Sequence, residues 1–121
     1  MFESTQARVK FRNVLKIDLI FISQVCGSTG MHFNPFNMTH GDITSPVRHV
    51  GDLGNVLAVD GSIIATLNDS LLQLYGPNSV IGRAIVLHAL PDDLGLGNAS
   101  TSLTTGNSGA RIGCAVIGYA N

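Results

Sequence analysis

The stretch HFNPFNMTHGDITSPVRHVGD, residues 32–52, contains His32, His40, His49 and Asp52, and so three of the chain's four histidines. Imidazole nitrogens and a carboxylate oxygen are ligands that Zn²⁺ accepts, and four of them complete a tetrahedral shell with no open position. Their spacings of eight, nine and three residues cannot place all four on one helix face, so the segment must fold around an ion. Pro35, Pro46 and the nearby asparagines and glycines fit a loop better than a helix or strand. Metal binding would order such a loop, and its binding energy would count as folding energy. The competing reading is a polar loop with incidental histidines.

The elements that must position this loop read as strands. ARVKFR (7–12) and LKIDL (15–19) alternate apolar and polar residues with period two. NVLAV, Asp60-Gly61 and SIIATL predict a β-hairpin, because Asp-Gly accepts the positive φ angles of a two-residue turn. SVIGRAIVLHAL (79–90) and ARIGCAVIGYA (110–120) are Val/Ile/Ala-rich runs bounded by turn formers, as buried strands are. Between them PDDLGLGNASTSLTTGNSG has turn composition throughout. This loop and the histidine loop exceed ordinary connections, and long loops in compact domains are usually functional or disordered.

The 121 residues suit one domain, and 45% hydrophobic against 12% charged residues predicts a packed core. A formal net charge of −1 without a Lys/Arg run argues against a nucleic-acid partner. The most apolar stretch, VLKIDLIFIS, carries Lys16 and Asp18 and is too short for a membrane span. A soluble, cytoplasmic protein is expected, with secretion the lesser alternative. On that basis the N-x-S/T triplets at Asn37, Asn68 and Asn98 are chance loop composition. By themselves Cys26 and Cys114 read as two buried thiols, with a single bridge as the minority reading.

HFNPFNMTHG, RHVGDLGN, SVIGRAIVLHA, DDLG and TTGNSGARIGCAVIG stand in the order, and nearly the spacing, of the copper/zinc superoxide dismutase family. The chain resembles that family from about Cys26 to its C-terminus. The resemblance implies an all-β Greek-key barrel or sandwich with a zinc loop (about 26–54) and an electrostatic loop (about 89–110). It implies zinc ligands His32, His40, His49 and Asp52, and a copper site that includes His32, as the bridging imidazolate, and His88. It further implies that Asp92 links ligands of the two metals, that Arg111 holds the superoxide anion, and that Cys26 and Cys114 form a disulfide. His32 and Arg111 are then the catalytic residues, zinc and copper the cofactors, and a homodimer the expected assembly.

Residues 1–25 depart from that pattern. The two further copper-binding histidines of the family would fall at Leu15 and Ile17, whose hydrocarbon side chains cannot bind copper. There is room for only about two strands there, which predicts a barrel incomplete on its N-terminal side. ASTSLTTGNSG also lacks the Lys and Glu that often steer the anion in this family. The expected function is therefore a family member whose implied reaction converts superoxide to oxygen and hydrogen peroxide, with little activity from this chain alone. The alternative is a non-catalytic zinc-binding module, or a truncated isoform, that pairs with an intact family subunit. Copper-chaperone chemistry is disfavoured, because no Cys-x-Cys or Cys-x-x-Cys motif is present.

Overall fold

The computed structural model describes residues 6–11, 15–20, 26–60 and 62–119, the first two of these spans by their backbone alone. Among the described residues, six strands carry the architecture. They are β1 (Gln6–Phe11), β2 (Leu15–Ile20), β3 (Ala58–Val59), β4 (Ser62–Leu67), β5 (Ala84–His88) and β6 (Arg111–Val116). The helical pieces are a 3-10 turn, Cys26–Thr29, and a single α-helical turn, α1, Ser102–Thr105. No helix among the described residues is long and apolar enough to cross a membrane.

Four strands form a sheet in the order β2-β1-β4-β3, and β5 pairs with β6 in a second sheet. β1 and β2 run antiparallel, with Val9 opposite Ile17 and Phe11 opposite Leu15. β1 lies parallel to β4, with Ala7 opposite Ile63 and Val9 opposite Ala65. β3 and β4 form the expected hairpin, with Val59 opposite Ser62. Asp60 in its turn takes a φ of 49°, the conformation that made Asp-Gly a turn signal; Gly61 lies outside the described residues. In β4 the period-two pattern has its physical consequence, since Ile63 is buried and Ile64 is exposed.

Within the length read as one domain, the chain forms two compact units. The first comprises residues 1–29, 56–87 and 111–121, and among its described residues the buried apolar positions are Cys26, Ile63, Val80, Ile85 and Ile117. The expected disulfide is present between Cys26 and Cys114, with Cα atoms 5.7 Å apart. It joins the 3-10 turn to β6. The second unit comprises residues 30–55 and 88–110, so the two long loops make up a compact body of their own.

The interior of that second unit is polar. His40, Arg48, His49, Asp52, Ser102 and Ser108 are buried there, while Val50 is its one buried apolar residue among those described. Backbone and side-chain hydrogen bonds therefore do the organising. His40 N–H donates to Leu103 O at 2.9 Å, tying the first loop to the second. Asn55 and Asp92 exchange two bonds, Nδ2 to Asp92 O at 2.9 Å and Asp92 N–H to Oδ1 at 2.8 Å. Turn composition alone gave no sign of α1, because a single turn has no hydrophobic period. Gly106 closes it with a φ of 68° and an N–H bond to Ser102 O.

Candidate metal centre

The structure brings His32, His40, His49 and Asp52 together, with one ligand atom from each lying within 4.8 Å of all the others. Asp52 Oδ1 is the hub. It lies 2.8 Å from His32 Nδ1, 3.0 Å from His40 Nδ1 and 3.0 Å from His49 Nδ1. His32 Nδ1 and His49 Nδ1 are 3.3 Å apart. A tetrahedral zinc shell with bonds of about 2.0 Å has ligand-to-ligand edges of about 3.3 Å, so the three edges to Asp52 Oδ1 are slightly short of that shape and the His32–His49 edge matches it.

The surrounding bonds show how the atoms are aimed. Asp52 is fully buried at its side chain, and Oδ2 accepts from His49 N–H at 2.8 Å and Gly41 N–H at 3.1 Å. Oδ1 is thereby turned toward the imidazoles. His40 Nε2 donates to Asp92 Oδ1 at 2.7 Å, and Leu94 N–H donates to the same oxygen. This leaves the neutral His40 ring with its lone pair on Nδ1, facing a carboxylate oxygen that also carries lone pairs.

His40 Nδ1 is buried and has no hydrogen-bond partner among the described residues. Its approach to Asp52 Oδ1 is short but badly aligned for a hydrogen bond. Buried polar atoms are otherwise almost always satisfied. Convergent lone pairs at such distances repel unless a proton or a cation sits among them, and the donor set suits zinc.

Protonation follows the same electrostatics. Burial alone would lower the His40 pKa, but the bond to Asp92 and the charges of Asp52 and Asp92 outweigh it, and the net direction is upward. Burial would raise the Asp52 pKa, but the His32 bond and the backbone N–H groups of His49 and Gly41 reverse this, and it falls. In the metal-free chain the site holds its anion and attracts positive charge.

The other expected site residues divide between the two units. His88, at the end of β5, donates from Nδ1 to Gly109 O at 3.0 Å, which leaves the Nε2 lone pair for a ligand. Its ring centroid is 6.3 Å from that of His32. Arg111, in the first unit, donates from Nη1 to Cys26 O at 3.1 Å and Thr29 Oγ1 at 2.9 Å. Leu15 and Ile17 lie in β2.

Three residues of the site escaped the sequence reading. Arg48 is buried against the carbonyls of the ligand-bearing turn, Asn55 clamps the backbone of Asp92, and Gly106 sits against the His40–Asp92 bond. Only the glycine carried a sequence signal, as a stop after a polar run.

The family model described as copper/zinc superoxide dismutase (SODC) matches residues 16–117. The chain belongs to the copper/zinc superoxide dismutase family. The match begins inside β2, ahead of the motifs that carry the resemblance, and takes in both loops of the second unit. The chain is 57% identical to Superoxide dismutase (Cu-Zn) of Schizosaccharomyces pombe over 96 residues, 78% of this chain and 62% of that protein. It is 54% identical over 96 residues to the protein of that name from Onchocerca volvulus, 76% of this chain and 61% of that one. Against the Saccharomyces cerevisiae protein of that name it is 53% identical over 97 residues, 79% of this chain and 63% of that one. The matched part thus spans about three-fifths of the length of these relatives. The all-β architecture and the Cys26–Cys114 disulfide accord with membership.

Proposed function

We propose that His32, His40, His49 and Asp52 hold zinc, and that this chain is a zinc-ordered member of its family whose copper side is incomplete. The single observation behind this is the buried, unsatisfied Nδ1 of His40, converging with two other imidazoles on Asp52 Oδ1. Zinc there would be four-coordinate and closed, and its role structural.

The residues do not fit the family's copper set. Of four copper-binding histidines, His32 and His88 are present, while Leu15 and Ile17 occupy the positions that the resemblance assigns to the others. Superoxide dismutation requires a metal that exchanges single electrons, which zinc does not do. Arg111, fixed against the 3-10 turn, would still offer an obligate positive charge to an anion. The isolated chain is accordingly proposed to have little or no dismutase activity and to pair with an intact subunit of the family, in the cytoplasm.

The test is metal content after loading with both ions, by elemental analysis alongside the copper spin-resonance spectrum. About one zinc, without stoichiometric copper of uniform geometry, is expected. One tightly held, uniform copper together with dismutase turnover near that of the relatives would overturn the reading.

A further inference from the structure

Arg48 is an arginine only 5% exposed, in a unit whose interior is polar. Arginines are almost never fully buried unless their donors are used. Its Nη1 donates to Asp52 O at 2.9 Å and lies 3.4 Å from His49 O and 3.5 Å from Val50 O. These three carbonyls belong to one tight turn, closed by Asp52 N–H donating to His49 O at 3.2 Å. That turn supplies two of the four candidate ligands, His49 and Asp52.

We propose that Arg48 is a positioning residue for the metal centre, which keeps Asp52 ligating through one oxygen and so keeps the centre four-coordinate. The inference rests on the reading of the cluster as a metal site. Carbonyl oxygens gathered to one point repel each other, and the guanidinium charge at that point offsets the repulsion and holds the turn closed. With the turn closed, His49 N–H stays on Asp52 Oδ2, beside the Gly41 N–H. A turn that loosens withdraws the His49 donor, the shorter of the two, and Oδ2, held then by the Gly41 N–H, can swing onto the ion as a fifth ligand. Arg48 thus selects coordination number without touching the metal, as partners beyond the ligands commonly do.

The measurement is the visible absorption of Co²⁺ bound in place of zinc, since four-coordinate Co²⁺ absorbs far more strongly than five-coordinate Co²⁺. Full chains with the disulfide intact are compared as wild type, Arg48→Met and Arg48→Lys, with folding checked by circular dichroism. Wild type is expected to take one Co²⁺ with intense bands. Arg48→Met should lose band intensity and bind zinc about tenfold to a hundredfold more weakly in competition with a chromophoric chelator. Arg48→Lys, which keeps the charge but not the fork of donors, should fall between. Wild-type bands in either folded variant overturn the inference alone, and Arg48→Lys decides the matter where Arg48→Met does not fold. A wild type that takes up no Co²⁺ overturns the metal reading beneath it.

Discussion

His40 uses both ring nitrogens, Nδ1 toward the cluster and Nε2 on Asp92, so whatever disturbs the second reaches the first. Gly106 is buried against that arrangement. A Cβ built on it would collide with Asp92 Oδ1 and His40 Nε2, and its φ of +68° also disfavours any side chain. Gly106→Ala should therefore weaken zinc binding about tenfold to a hundredfold, the usual effect of losing a partner that orients a ligand. Chelator competition reads this directly, and an unchanged affinity would show that the His40–Asp92 bond does not govern the site. The same residues set a pH dependence. His40 has a folded pKa above its ordinary 6.5, so its stabilising contribution is present below 6.5 and is lost as pH rises through the folded value. Asp52 has a folded pKa below 3.8, so its contribution is present above 3.8 and is lost as pH falls through the folded value. From these two groups the metal-free chain should be most stable between 3.8 and 6.5. Zinc takes the place of the His40 proton, so zinc affinity should instead keep rising with pH above 6.5. Melting curves and zinc titrations across that range check both signs.

Among the elements, the Cys26–Cys114 bridge closes a separation of 88 residues and ties the 3-10 turn to β6. Arg111 reinforces that junction by bonding to Cys26 O and Thr29 Oγ1, while the Thr29 hydroxyl donates to Cys26 O at 2.8 Å. Cys114→Ser should cost about 2 to 5 kcal/mol in denaturant unfolding, and Cys26→Ser the same. The double variant should cost no more than either single one, because both remove one crosslink. Additive losses would mean that the thiols pack independently of the bridge. β1 and β2 were legible as strands from period-two alternation, β3 and β4 from the Asp60 turn between apolar runs, and β5 and β6 from Val/Ile/Ala-rich runs with bounding turn residues, all of them local signals. The pairing of β1 between β2 and β4 was not, since a parallel partner some fifty residues away leaves no local mark. The candidate metal-ligand cluster of His32, His40, His49 and Asp52 was legible from residue type and spacing. Arg48 was not, because arginine ordinarily signals surface, and nothing in its local sequence shows that the carbonyls of the turn beside it use its donors. The disulfide became legible only through resemblance, as two cysteines so far apart carry no geometry of their own.

At the level of the whole chain, two kinds of interior divide the work of holding it folded. The first unit buries Ile63, Val80, Ile85 and Ile117 beside the disulfide, and apolar burial of this kind persists without any ion. The second buries six polar residues around Val50, with a four-residue helix as its only element wholly inside it, so hydrogen bonds and the ligand cluster must stabilise what apolar area does not. A ligand that binds only the folded form adds about 2.7 kcal/mol when present at a hundred times its dissociation constant. That gain should fall where the cluster is. Zinc is therefore expected to slow amide hydrogen exchange strongly across residues 30–55 and 88–110, led by His40 N–H and Gly51 N–H, which donate to Leu103 O and Phe33 O. Amides of β4 and β6 should change much less, because the packing of their own unit already protects them. Exchange followed by mass spectrometry with and without zinc separates the cases. Equal protection of both units would mean that the chain folds as one cooperative body, with the polar interior drawing its stability from the apolar one. Protection confined to the second unit would mean that zinc serves there as the core that the sequence does not supply.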